Sequence, residues 1–340
     1  MRNQLELQAT EIAGSLGSAG DAGPARFGSR IRVTRESFDK PDLIHRVSRF
    51  LARKTFSFWE KLGLHLTYVH FYEPVPDTRS LDDALWRSNL ELPGIDINEQ
   101  FQIEFLKELE TRCCAAWQAL TRSESSNPAQ FFLGNGYFDS VDAEILYGIV
   151  RKFKPRRFFE IGSGFSTLLV EDAIGDNRAL DSSYACEHWV IDPFPAEFLG
   201  KDCNGLAVLS AKVQDVPLST FQNLQRNDVL FIDSSHVLSI GSDVRFECLE
   251  ILPRLNPGVL IHCHDIFFPA EYPKDWIFHH HRFWNEQYLL QAFLAFNSEF
   301  EVLWAGNYMH LKHPDLLAQS IPSYKQSSVQ PKSFWLRRKG

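Results

Sequence analysis

The sequence predicts an α/β chain: a seven-stranded, mostly parallel sheet with helices on both faces, led by a helical N-terminal extension. Three observations point there. Short, unbroken apolar runs alternate with amphipathic helical patterns through the second half of the 340 residues, as strands buried on both faces require. The first of these runs leads into a turn with two glycines, "FFEIGSGFST" from Phe158 to Thr167. The last two, "FEVLWAGNY" and "SFWLRRK", are read with no helix between them, so one of the pair is expected to run antiparallel.

The elements follow in order. Residues 1–30, with "GSLGSAGDAGPARFGS", lack periodicity and are expected to form a mobile segment. Residues 31–126 are expected to form a helical cap that serves the substrate region. Within it, "HRVSRFLARK" (His45 to Lys54) reads as an amphipathic helix with a basic polar face, either a surface helix or a contact for a membrane or an acidic partner. "YVHFYEPVPDTRSLDDALW" reads as a short extended stretch, a proline turn and a helix. "INEQFQIEFLKELETRCCAAWQAL" is a long helix whose apolar positions recur at three- and four-residue steps. The polar run "TRSESSNPAQ" (Thr121 to Gln130) marks a boundary, and residues 127–340 are expected to hold the sheet. There "SVDAEILYGIVRKF" is helical and "RRFFEIG" is the first strand. "FSTLLVEDAI" is helical, and "HWVIDP", "GLAVLS" and "DVLFIDSS" are strands two to four. "GSDVRFECLEIL" is helical, "GVLIHCHDIF" is strand five, and "NEQYLLQAFLAFN" is helical before the final pair.

Composition narrows the function. A formal net charge of −8 leaves no basic footprint for nucleic acid. No apolar run reaches the length of a membrane span. The start, "MRNQLELQATEIAG", lacks the basic-then-apolar pattern of a signal peptide, so the expected location is cytoplasmic. Six cysteines form no CxxC pair, which suggests reduced, mostly buried thiols.

In a doubly wound sheet, ligands sit beyond the carboxyl ends of the strands. Gly162 and Gly164 end the first strand there, just before a helix whose free N–H groups favour an anionic group. A nicotinamide site expects GxGxxG with an acid about twenty residues on. Here Thr167 holds the third glycine position, and Glu160 lies before the first. A carboxylate aimed at the turn repels a pyrophosphate and suits a ligand with an ammonium group and a nearby sulfonium, S-adenosyl-L-methionine.

A second cluster lies further on. "FIDSSH" puts Asp233 at the end of strand four with His236 three residues later, and "GVLIHCHDIF" puts His264 and Asp265 at the end of strand five. Two converging carboxylates need neutralising, and a divalent cation, magnesium for oxygen ligands, would do it. A metal on an acceptor oxygen lowers its pKa, and a nearby histidine, His236, takes the proton.

At these residues the sequence resembles the class I S-adenosylmethionine-dependent methyltransferases, from roughly Asp139 to Arg337, with a Rossmann-like sheet. The resemblance is nearest in motif to metal-dependent, macrolide-sugar-type O-methyltransferases and their cephalosporin-hydroxylase-like relatives. It implies a cofactor set of Glu160, Gly162, Ser163, Gly164, Ser166, Asp192, Asp215 and Asp233. Asp192, in "VIDPFP", would accept from the ribose hydroxyls, and Asp215, in "SAKVQDVPL" beside Gln214, would meet the adenine amino group. It further implies Asp233 and Asp265 as metal ligands, with His236 as base. His264 departs from the pattern by standing where those enzymes have an acid. A histidine ligand would shift preference toward manganese, iron or zinc, and its ligation stays open.

The expected activity is therefore methyl transfer to a hydroxyl of a small molecule such as a sugar, a phenol or a natural product, with self-association left open. A nicotinamide-dependent oxidoreductase and a non-catalytic binder of the same fold are the rival readings. The missing third glycine argues against the first, and the histidine and acids at both strand ends argue against the second. His262, two residues before His264, admits a hydrolase-type metal site, which leaves the glycine turn unexplained. "HHHRFW" (His279 to Trp284) is expected as a loop over the cleft. "HLTYVHFYEPVPD", before "ELPGID", resembles a stretch of uncharacterised bacterial proteins of this group, in which His70 and Tyr72 would reach over the cleft.

Overall fold

The computed structural model of the chain describes residues 43–67, 69, 73–121, 123–124, 126–199, 206–326 and 329–340. The expected mobile segment, His70, Tyr72 and Cys203 lie outside the described residues. The chain divides into two compact units, the first up to Tyr68 and the second from Val69.

In the first unit, α1 (Leu43–Lys61) contains the expected basic amphipathic helix. Its carboxyl end closes on a turn in which Gly63 N donates to Glu60 O at 3.0 Å. Gly63 sits at φ 75°, a left-handed position that suits glycine at a helix end.

The second unit begins with short turns. The helix expected in "DTRSLDDALW" forms instead as two 3-10 turns, Thr78–Ser80 and Asp83–Trp86. Asp77 and Asp82 each accept from the backbone two residues on, from Arg79 N and Ala84 N. Such side-chain turns recurring every five residues compete with a continuous helix. Next come α2 (Glu99–Ala119), α3 (Asp142–Phe153), β1 (Arg157–Ile161), α4 (Phe165–Leu180), β2 (Glu187–Ile191) and β3 (Leu206–Leu209). They are followed by α5 (Leu218–Gln222), β4 (Val229–Ile232) and α6 (Asp243–Phe246), which runs on into a π turn at Glu247–Ile251. Then come β5 (Leu260–Cys263), α7 (Lys274–Phe278), α8 (Glu286–Leu294) and β6 (Phe300–Ala305). Two short helices, α9 (Gly306–Lys312) and α10 (Pro314–Ser320), precede β7 (Phe334–Arg338). These two were not expected. They are seven residues each, separated at His313 because Pro314 disfavours a helical residue before it.

All seven strands form one sheet in the order β3-β2-β1-β4-β5-β7-β6. Neighbours from β3 to β5 pair parallel, while β7 is antiparallel to both β5 and β6, as expected of the final pair. Strand alternation sorts the core. Phe158 and Phe231 face α2, α3 and α4, packing with Leu106, Ile149 and Leu169. Phe159, Ile161 and Ile232 face the other way, with Leu224, Ile251 and Leu290. Burial of each such side chain contributes about 2 kcal/mol. α2 is tied to the far edge as well: Asn98 Nδ2 donates to Val302 O at 3.1 Å, and Ala305 N to Gln102 Oε1 at 2.7 Å. The order reverses between β1 and β4, which opens the crevice where ligands bind in such sheets.

Candidate active site

The crevice is built on the glycine turn. Gly162 has φ 91°, and a Cβ there would lie 2.0 Å from the Asp233 carbonyl oxygen. Only glycine fits, because the turn after β1 lies against the backbone leaving β4. Gly164 differs: its φ of 171° is ordinary extended backbone, and nothing lies within 4 Å of a Cβ. Its bare backbone fronts open space at the start of α4. Ser163 Oγ donates to Asp192 Oδ2 at 2.6 Å and accepts from Ala196 N at 3.0 Å. Phe194 N donates to Asp192 Oδ1 at 2.7 Å. Ser163 and Asp192 thus form one partly exposed wall of the crevice. Asp215 stands exposed in a 3-10 turn beyond β3, beside Gln214, whose Nε2 donates to Gly241 O at 3.0 Å.

Glu160 does not aim at the turn as expected. It shares a face with Phe158 by strand alternation, so it points beneath α4 and is fully buried. Ser166 Oγ donates to its Oε1, and Thr167 Oγ1 to its Oε2 at 2.7 Å. Thr167 Oγ1 also accepts from Gly164 N at 3.2 Å. That explains why threonine, not a third glycine, occupies position 167: it ties the first turn of α4 to β1. Ser166 is likewise buried in this tie. Behind it lies His188, with Nε2 3.5 Å from Glu160 and Nδ1 2.6 Å from Glu171. Burial pulls the His188 pKa down, but the two carboxylates outweigh it and leave it raised.

The second cluster does converge. His236 Nε2 lies 3.2 Å from Asp233 Oδ1 and 3.4 Å from Asp265 Oδ2. Its Nδ1 lies 2.8 Å from Glu286 Oε2, and its ring centroid is 4.3 Å from that of Trp284. Burial lowers the His236 pKa, yet its hydrogen bonds with Asp233 and Glu286 raise it well above the ordinary value. His236 and Asp265 hold left-handed backbone, φ 61° and 55°, which is strained for side-chain-bearing residues and gathers at functional sites. Donor atoms of Asp233, His236 and Asp265 all lie within 4.8 Å of one another, a carboxylate–imidazole–carboxylate set that suits a divalent cation. His264 is not in that set. Its Nε2 is 3.9 Å from Asp265 Oδ1, its ring packs 5.0 Å from Phe138, and burial lowers its pKa. His262 is buried in the core, its Nε2 3.0 Å from Ser333 Oγ, and its ring stacks 3.8 Å from Phe231. The hydrolase-type site therefore does not assemble around it.

Two members of the cluster were not foreseen. Lys332 Nζ lies 2.8 Å from Asp265 Oδ1, and Glu286 backs His236. Glu286 opens α8 two residues after the aromatic end of "HHHRFW", a run read as covering the cleft. Trp284 indeed borders the cavity, whereas His279 and His280 pair with Asp275 at the surface. Lys332 had no local signal. It arrives on the segment before β7, held by Ile266 N donating to Lys332 O at 2.9 Å. Above the cluster opens a cavity of about 520 Å³, bordered by Tyr137, Asp233, Asp265, Trp276, Trp284 and Lys332.

This strand order, with a glycine turn at its reversal and acids closing β2, β4 and β5, defines a class I methyltransferase fold. More particularly, residues 159–266 match a family model described as a methyltransferase domain. Over these residues the resemblance to the methyltransferases read from the sequence is borne out. An uncharacterised protein of Archaeoglobus fulgidus is 28% identical over 166 residues, 46% of this chain and 73% of the relative. The O-methyltransferase TomG of Streptomyces achromogenes, solved with SAM, is 14% identical with a TM-score of 0.36, over 58% of this chain and 79% of its own. An O-methyltransferase of Bacillus cereus, solved with SAH, is 12% identical with a TM-score of 0.33, over 70% and 91%. Among the described residues, no helix is long and apolar enough to cross a membrane.

Proposed function

We propose that the chain methylates a hydroxyl of a small molecule seated in the cavity over β4 and β5. The observation that carries this reading is His236, its Nε2 between two aspartates and its Nδ1 fixed by Glu286. When bound, S-adenosylmethionine supplies an electrophilic methyl group on its sulfonium. Open backbone at Gly164 and the Ser163–Asp192 wall would receive its amino-acid and ribose parts. His236 Nε2 would take the acceptor's proton as the hydroxyl oxygen gains the methyl group. Glu286 keeps the ring oriented and balances the charge it acquires. Acting as a base requires the neutral ring, so this route favours the alkaline side of neutrality.

Asp233, His236 and Asp265 would also hold a divalent cation, which would supply Lewis acidity at the acceptor oxygen. Two carboxylates favour magnesium, and the imidazole tilts the choice toward manganese, iron or zinc. Such a cation is not needed for charge alone, since Lys332 and His236 already face the carboxylates. His236 Nε2 serves as ligand or as base, not both at once.

Calorimetry with S-adenosylhomocysteine, with turnover measured in excess chelator, tests the proposal. The expected result is tight binding, undiminished in His236→Gln, whose turnover is abolished. Full activity in chelator makes His236 the base, and lost activity restored by one metal makes it a ligand. Absent nucleoside binding, or an NADH fluorescence titration that saturates instead, overturns the methyltransferase reading.

A further inference from the structure

Every acid on the cavity wall has a cationic partner. Asp233 faces His236, and Asp265 faces His236 and Lys332. Arg282 is different. It borders the same cavity, with its guanidinium carbon 4.9 Å from the ring centroid of Trp276 and 5.1 Å from that of Trp284. Its side chain has no acidic or hydrogen-bonding partner among the described residues. The carboxylate of Asp275, seven residues earlier, pairs with His279 and His280.

The two indoles meet edge to face, centroids 5.0 Å apart at 79°, and the guanidinium carbon lies over both rings at the corner they form. Arg282 is exposed, and its N–H groups form a planar fork matched to two oxygens of one anion. Lys332, largely buried and 5.4 Å from the Trp276 ring, adds positive potential on the same wall. The chain as a whole is acidic, with a formal charge of −8, so an exposed guanidinium seated on two indoles at the cavity, with no acidic partner among the described residues, is placed to meet an anionic ligand. We propose that the methyl acceptor carries an oxyanion, a carboxylate or a phosphate, and that Arg282, seated against Trp276 and Trp284, receives it. The acceptor is then a molecule with its hydroxyl at His236 and its acidic group at Arg282. The indoles also offer flat apolar surface to a ring between those two ends. This inference rests on the methyltransferase reading and names the class of its substrate.

Matched pairs test it: 3-hydroxybenzoate against its methyl ester, and glucose 6-phosphate against glucose. Each is titrated by calorimetry into the full chain saturated with S-adenosylhomocysteine. The carboxylate or the phosphate is expected to bind, its neutral partner more weakly. Arg282→Gln should weaken that anion by about 10- to 100-fold, the worth of a hydrogen bond to a charged group. Arg282→Lys should fall between, since it keeps the charge and loses the fork. Affinity for S-adenosylhomocysteine should not change in either variant. The pair that discriminates tells carboxylate from phosphate. The proposal is overturned if neutral partners bind as well as the anions, or if neither anion binds at millimolar concentration. It is equally overturned if Arg282→Gln leaves the anion's affinity intact, or lowers that of the nucleoside, which would assign Arg282 to the methionine carboxylate. Absent nucleoside binding sinks the methyltransferase reading, whereas Arg282-dependent anion binding would survive it.

Discussion

The two glycines of the turn have different reasons to be glycine. Gly162 is confined: its left-handed backbone and the Asp233 carbonyl 2.0 Å from any Cβ forbid a side chain. Gly162→Ala is expected to cost about 3 kcal/mol or more, seen as a lower urea midpoint. Gly164→Ala meets no atom and should cost less than about 1 kcal/mol, yet weaken S-adenosylhomocysteine binding by filling the ligand's space. Equal stability losses in the two variants would refute that distinction. The positions of both glycines were readable, since they end an apolar run at the strand-to-helix turn. So were Asp192, Asp233, His236 and Asp265, polar residues placed where strands stop. Glu160 was misread in direction, although strand alternation from Phe158 already put it on the buried face. Lys332 and Glu286 were unreadable. They reach Asp265 and His236 from 67 and 50 positions away in sequence, and nothing local marks a contact that only the folded sheet creates.

Glu160 fastens an element. Through Ser166, Thr167 and His188 it locks the first turn of α4 onto β1 and β2. Glu160→Ala leaves two buried hydroxyls without their acceptor and His188 short of one of its two carboxylates. The expected loss is about 3 kcal/mol, measured by chemical denaturation, with Glu160→Gln losing less. Unchanged stability with lost nucleoside binding would instead return the carboxylate to the ligand. At this scale most helices and strands were legible, because their periodicities are long and clean. The exceptions were short. The turns at Thr78 to Trp86 follow side-chain capping rather than propensity. α9 and α10 are seven residues each, too brief for a helical repeat to stand out.

Across the whole molecule, buried acids tie distant segments together. Asp142, at the start of α3, accepts from Lys332 N and Ser333 N, so it anchors the lead into β7. Burial, only partly offset by those donors, pushes its pKa from 3.8 up to about 7. Glu144, hydrogen-bonded to Ser323, is pushed by burial up to about 6. A carboxyl whose folded pKa is raised contributes its stability below the unfolded value and loses it as pH climbs through the folded one. The contribution of Asp142 is therefore full below about pH 4 and gone above about pH 7. Asp142→Asn keeps an acceptor and cannot ionise. Scanning calorimetry from pH 4 to 8 should show the wild type losing ground to this variant as pH rises, and parallel melting curves would dismiss the linkage. The sheet order was foreseen as a class, whereas the seating of β7 between β5 and β6 was not. That seating has a consequence for biogenesis. On the ribosome, β5 and β6 are both made before the strand that joins them, so β5 waits with one side unpaired and β6, whose one partner in the sheet is β7, with both. During that interval the nascent chain is open to pairing with other molecules, and Asp265 has yet to meet its lysine. Assembly of the reaction chamber and closure of the sheet are thus a single late event, completed by one short strand.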